Sequence, residues 1–274
     1  MKTLKKLIIL LLAAFLVLGL TACAKGDGST LRLSTTTSVD NTGLMAYLRA
    51  EFEKDTGYNL EISPLGSGKA IQAARDGNAD CLLVHDPDEE EKFIGEGYGV
   101  ERVTFMYNYF IIVGPPDDPA GVKGCATAAE AFQKIAEHTT AEFISRGDLS
   151  GTHSKEKAIW ALAGITPIGE NWYYSINDDM GRALNMAVEK SAYILTDKAT
   201  YRAHAANGVL DILMDSQEQM KNPYSMIIVS TSKWPDVNEK AAKEFVKWMT
   251  SKKAKDLINN YRVEGSDEQL FFID

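Results

Sequence analysis

Three stretches of this chain combine small hydroxyl side chains with glycine where an apolar run gives way to a helical pattern. They are Ser34-Thr35-Thr36-Thr37-Ser38, Leu65-Gly66-Ser67-Gly68-Lys69 and Ser145-Arg146-Gly147-Asp148-Leu149-Ser150-Gly151-Thr152. A helix N-terminus carries unpaired backbone N–H groups and the positive end of the helix dipole, so hydroxyl-rich loops there suit an anion. Glycine lets the backbone donors approach closely. Any one such loop could serve only as a helix cap, because Ser and Thr are preferred caps whatever the ligand. Three in one chain point to a shared oxyanion site. Arg146 brings the one full positive charge of the first and third loops, and Asp148, two residues on, is placed to fix its guanidinium. Lys69 is expected to run along its helix to solvent.

Enzyme motifs with similar composition are excluded residue by residue. Gly66-Ser67-Gly68-Lys69-Ala70 has neither the leading glycine nor the Ser/Thr after lysine of a phosphate-binding P-loop, and it lacks the third glycine of a dinucleotide fingerprint. Asp148 stands where a nucleophile elbow around Ser150 would need glycine. The run Asp86-Pro87-Asp88-Glu89-Glu90-Glu91 lacks the central glycine of a calcium loop and reads as a solvated surface. His85, His138, His153 and His204 show no metal-ligand spacing, with His153 alone adjoining a hydroxyl loop. Neither a cofactor nor a resident metal is implied. With 29 basic against 38 acidic residues in 274 and a net charge of −9, the chain has no basic face for a nucleic acid.

Short apolar runs alternate with helical periodicity along the chain, the pattern of an α/β protein. The spacing predicts strands at Thr30–Ser34, Asn59–Ser63, Asp80–Val84, Arg102–Val113, Ala141–Ser145, Ser191–Leu195 and Ser225–Val229. A helix is predicted over Thr42–Thr56, with Leu44, Tyr47, Leu48 and Phe52 on one face and Gly57 as its stop. Another follows Pro235-Asp236 with Ala241, Phe245, Trp248 and Met249 in one stripe. Gly114-Pro115-Pro116-Asp117-Asp118-Pro119 and Lys221-Asn222-Pro223 punctuate the pattern. As crossovers they divide the chain into lobe I (30–114 plus 223–274) and lobe II (115–222); a single doubly wound domain with proline-rich loops is the alternative.

The N-terminus reads as an address. Lys2, Lys5 and Lys6 precede fourteen uncharged residues from Leu7 to Leu20. As a helix these rise only about 21 Å, short of a bilayer core of about 30 Å, so residues 1–22 read as a signal peptide. Leu20-Thr21-Ala22-Cys23 resembles a bacterial lipobox, which implies cleavage before Cys23, lipidation of its sulfur and a tether over residues 23–29. Loss of the leader removes three lysines and takes the net charge to −12. The expected location is the extracytoplasmic face of the cell membrane. Cys81 and Cys125 could pair in that compartment, although the apolar run around Cys81 favours buried packing.

Taken together, the loops resemble those of the tungstate-binding proteins of Tup-type ABC importers. The resemblance rests on Thr35-Thr36-Thr37-Ser38 with Asp40-Asn41-Thr42-Gly43-Leu44, Val84-His85-Asp86-Pro87, Asn108 to Pro115, Ser145 to His153, and Ala192 to Asp197, and it spans about residues 30–230. It implies a type II periplasmic-binding-protein fold, two α/β lobes joined by two crossovers with the ion in the cleft. It further implies Thr36, Thr37, Ser38, Ser67 and Gly68 as ligands from lobe I, and Arg146, Ser150, Gly151 and Thr152 from lobe II. The partners implied are tungstate and a membrane permease, for a protein expected to work as a monomer and not as an enzyme. Lys198 stands where arginine would be more usual. A cage of donors with one arginine suits a dianion that carries no proton, whereas phosphate keeps one near pH 7 and wants an acceptor. Phosphate and molybdate are the alternative ions. An extracytoplasmic hydrolase or transferase acting on phosphorylated or sulfated substrates, and a sugar or peptide binder stacking on Trp172-Tyr173-Tyr174, are the competing classes.

Overall fold

In lobe I, β1 (Thr30–Thr36) pairs in parallel with β2 (Asn59–Leu65) on one side and β3 (Cys81–Val84) on the other. These belong to a computed structural model that describes residues 28–273; the leader and Cys23 lie outside the described residues. All four residues of β3 are buried, which is why its sequence is an unbroken apolar run without alternation. Between the strands lie α1 (Thr37–Asp40), α2 (Leu44–Thr56), α3 (Ser67–Arg75) and α4 (Pro87–Gly95). Helix α2 buries Leu44, Met45, Leu48 and Phe52 and stops at Gly57, whose φ of 74° is left-handed. Tyr47, expected on that face, is exposed instead and tilts against Tyr261. It lies one residue before Leu48, about 100° round the helix, so the buried stripe runs through Met45 in its place.

The full sheet runs β2-β1-β3-β9-β4-β7-β5-β6, with β8 also on β4. Here β4 is Gly99–Gly114, β5 Phe143–Ser145, β6 Tyr173–Ser175, β7 Tyr193–Asp197, β8 Asp211–Met214 and β9 Lys221–Val229. The antiparallel pair β4 and β9 links the two halves. Up to Tyr109, β4 pairs with β9; from Phe110 it pairs with β7. The apolar clusters part at the same place. Phe105 and Met106 pack with Leu33, Phe52 and Phe245, whereas Phe110 and Ile112 pack with Phe132, Phe143 and Trp160. The chain therefore changes lobes in mid-strand, some four residues before the Gly114-Pro115 turn, and returns between Met220 and Tyr224.

Lobe II adds α5 (Ala128–Glu137), α6 (Gly151–Ala163), α7 (Met180–Lys190) and α8 (Lys198–Ala203). Tyr173 stacks on Phe143, and Trp160 packs at a tilt against Phe132 and Trp172, so the aromatic run is packing inside this lobe. Helices α9 (Glu239–Met249) and α10 (Lys252–Asn260) return to lobe I, where Ala241, Phe245, Trp248 and Met249 are buried as the stripe predicts. Cys81 and Cys125 are free thiols, one in the core of each lobe. Among the described residues no helix is long and apolar enough to cross a membrane.

Candidate functional site: a buried anion cleft

Five loops leave the carboxyl ends of parallel strands and meet between the lobes, the place where α/β sheets hold ligands. Thr36 ends β1, Gly66 and Ser67 follow β2, His85 follows β3, Arg146 follows β5, and Asp197 ends β7. Thr36, Ser38, Ser67, His85, Arg146, Ser150, Gly151, Thr152 and Asp197 are all buried, while Thr37 and Gly68 are half-buried and Lys69 is exposed.

The lobes touch through these loops. Gly68 N donates to Leu149 O at 2.7 Å, Ser154 Oγ donates to Asp86 Oδ2 at 2.8 Å, and Thr200 Oγ1 donates to Ser38 O at 3.3 Å. Two glycines are required by this closeness. A Cβ on Gly68 would stand 2.7 Å from Leu149 O, and one on Gly151 would stand 2.6 Å from His85 O.

The donors are used unequally. Ser150 caps α6, accepting from His153 N at 3.2 Å, and its hydroxyl lies 2.5 Å from Asp148 Oδ1, to which it donates. Its side chain thus performs the capping role, and any donor it offers a ligand is backbone. Gly66 precedes α3 without a side-chain cap, and Ser67 Oγ, buried on the first turn, has no partner. Arg146 Nη2 donates to Asp148 Oδ2 at 2.6 Å, and its buried Nε is unpartnered. Asp148 is filled on both oxygens by Arg146 and Ser150, so it tethers the guanidinium and offers little to a ligand. Thr36 Oγ1 and Ser38 Oγ lie 3.0 Å apart.

Residues that sequence reasoning passed over complete the site. His85 Nε2 is 3.2 Å from Ser38 Oγ, its ring tilts against Tyr224 at 4.8 Å, and its buried Nδ1 is unpartnered. Burial, reinforced by the nearby Arg146 charge and partly offset by Asn222, pushes the His85 pKa down to about 4, so the ring is neutral at pH 7. Asp197 Oδ1 accepts from Thr200 N at 2.9 Å and from Asn108 Nδ2 at 3.1 Å, while its buried Oδ2 has no partner. Burial raises the Asp197 pKa. A lone histidine has no spacing to betray it; its only signal was its position directly after a buried strand. No group of three metal-ligating side chains occurs among the described residues.

Two α/β lobes strung on an antiparallel strand pair, with unpartnered donors buried between them, define a two-lobed solute-binding protein. A model of the PBP superfamily domain matches residues 23–253. The chain is 42% identical over 270 residues to the tungstate-binding protein TupA of Peptoclostridium acidaminophilum, covering 93% of each chain. It is 37% identical over 241 residues to TupA of Campylobacter jejuni, covering 86% of this chain and 88% of that one. The solved structure of the tungstate-binding protein TupA from Desulfovibrio alaskensis G20 is 41% identical, with a TM-score of 0.77 over 89% of this chain and 98% of that one. The chain belongs to the PBP superfamily and, within it, to the TupA family of tungstate-binding proteins.

Proposed function

We propose that this chain captures tungstate between its lobes, without chemical conversion, and delivers it to the permease of an ABC importer. The observation that carries the reading is the convergence of Ser67 Oγ and Arg146 Nε, both buried and unpartnered, with the Thr36–Ser38 hydroxyls and the first turn of α6. Buried donors are almost always paired, so this set calls for an acceptor-only guest. An unprotonated tetrahedral dianion meets that demand, and Asp148, each of whose oxygens already accepts a bond from Arg146 or Ser150, offers little acceptor capacity to a protonated one. The family supports tungstate as the particular ion. One observation favours phosphate as the second reading: the unpartnered Asp197 Oδ2 is a buried acceptor for a protonated oxyanion.

Thermal unfolding of residues 24–274 with tungstate, molybdate, sulfate or phosphate tests the reading. At about a thousandfold excess over Kd a bound ion adds roughly 4 kcal/mol. At about 2–4 °C per kcal/mol for this size, that is a rise in Tm of about 8–16 °C. The rise is expected with tungstate. A rise with phosphate alone supports the second reading, and no rise with any ion removes both.

The reading includes a lipid anchor at Cys23 after removal of residues 1–22, a place on the extracytoplasmic face of the membrane, and a monomeric working state. The lipobox-like Leu20-Thr21-Ala22-Cys23 is its support. Replacing Cys23→Ala should abolish fatty-acid labelling and move the protein out of the membrane fraction; a variant still labelled would place the acyl chain elsewhere.

A further inference from the structure

The C-terminal segment runs along the hinge. Leu270 and Phe271 are buried in the lobe I core with Leu33, Phe52 and Phe245. The next residue, Phe272, pairs with β4, exchanging two backbone hydrogen bonds of 2.9 Å with Tyr107. Its ring stacks on Tyr107 at 5.4 Å and meets Tyr109 edge-on at 5.8 Å. Tyr109 is the last residue of β4 to pair with β9 before the strand changes lobes. Residues 266–273 are therefore fastened to the lobe I side of the pivot.

Glu268, in the same segment, reaches the other lobe. Its Oε1 accepts from Lys198 Nζ, and its Oε2 accepts from Arg202 Nε at 3.2 Å. Both cations stand on α8, which follows Asp197, the partner of Phe110 across β7 and β4. They move with lobe II, whereas Glu268 moves with lobe I. On the same helix Ala199 packs into the lobe I core and Thr200 donates to Ser38 O, so the ion pairs form where α8 is seated against lobe I. Lys198 is buried, which strengthens its attraction to a carboxylate. Glu268 keeps 37% of its side chain exposed, which limits what the pairs contribute. Each cation also has a partner in its own lobe: Lys198 donates to Asp215 at 2.8 Å, and Arg202 to Asn207 at 3.1 Å. Parting the lobes strands neither cation and gives up only the contacts with Glu268.

Resting on the reading that the ion is held by closure of the lobes, we infer that residues 266–273 form a strap across the hinge. Glu268 clasps Lys198 and Arg202 in the closed form alone and so slows release of the bound anion. The C-terminus thereby sets the dwell time without touching the ion. The sign of the effect separates this role from the general field of the protein. Removing a negative charge from an acidic molecule should by itself favour a dianion. Loss of the clasp should do the opposite.

The test uses sodium tungstate and the whole mature protein, with affinity from calorimetry and rates from stopped flow. Glu268→Gln should bind about threefold to tenfold more weakly, through faster release at an unchanged capture rate, and the melting of the ion-free protein should stay as it is. Glu268→Lys should lose more, because it repels the cations it faces. The gap between wild type and Glu268→Gln should narrow as salt is raised, since screening weakens the same pairs. Arg202→Gln should cost less in the Glu268→Gln background than alone. Single-molecule energy transfer between one dye on each lobe follows closure without any ion, and the closed dwells of the ion-free protein should shorten from wild type to Glu268→Gln to Glu268→Lys. Tungstate binding that is unchanged or tighter in Glu268→Gln would overturn the inference. So would a lowered ion-free melting point with unchanged release, which would mean that the pairs persist in the open form. Wild-type protein that binds none of the oxyanions would end the functional reading, and the closed dwells would then judge the strap alone.

Discussion

Arg146→Ala should cost at least about a thousandfold in tungstate affinity, the largest effect of any single change in the cleft. The guanidinium is buried, with Nη2 on Asp148 and Nε unpartnered. Losing it removes one or two charge-assisted hydrogen bonds, each worth about 1.5–3 kcal/mol. It also turns Asp148 from a partner into an opponent, since the carboxylate that Arg146 neutralised would face a dianion across a dry cleft. A thousandfold is about 4 kcal/mol, within reach of these two losses together. Arg146→Lys keeps the charge without the fork that spans Asp148 and a ligand, so it should fall between the two proteins. In the absence of ion the lobes can part and hydrate Asp148, so the variant should still fold. Calorimetry that puts Arg146→Ala within about threefold of wild type would mean that the anion sits elsewhere.

Gly151→Ala should come next, with a loss of at least about a hundredfold and little change in the melting of the ion-free protein. The added Cβ would lie 2.6 Å from the backbone oxygen of His85 and 2.7 Å from its ring nitrogen. Backbone of one lobe cannot yield as a side-chain tip can, so the lobes must stay apart by several tenths of an ångström or more. Gly68 N–Leu149 O and Ser154–Asp86 then lengthen together, and water enters the cleft. Each donor–oxyanion bond loses much of its strength once water competes for both ends. Small-angle scattering should show tungstate contracting the wild type and failing to contract the variant. A variant that closes and binds normally would show that the His85–Gly151 contact is slack.

The loops at the strand ends were legible because their chemistry is local: hydroxyls, glycines and a single arginine stand beside the helix starts they serve. Ser150 was legible as a residue of the site but not in its use, because cap and ligand place the same side chain at the same position. The crossover was harder. Prolines at 115, 116 and 119 mark a turn, yet β4 passes from one lobe to the other at Tyr109–Phe110 with no break in the apolar run. Only the change of partner strand reveals it, and partners are not written locally. The strands β6 and β8 escaped because they are only partly buried and so do not read as apolar runs, whereas β3 and β5, equally short, are buried throughout. Asn108, Asn222 and Asp197 come from three strands far apart in the chain, and it is the fold that joins them by hydrogen bonds; His85, just after a fourth, meets the first loop at Ser38 only in the folded chain.

The two unpartnered donors also bear on how the molecule is read from outside. Closing the lobes strips water from Ser67 Oγ and Arg146 Nε. Without an anion to take them, that costs about 1–3 kcal/mol for each group and more for the charged one. Closure without cargo is thus disfavoured by a factor of at least about thirty. Outer shape becomes a report of content. A membrane partner that recognises the closed outline need never inspect the cleft, because the same atoms that grip the ion make an empty molecule a poor imitation of a full one.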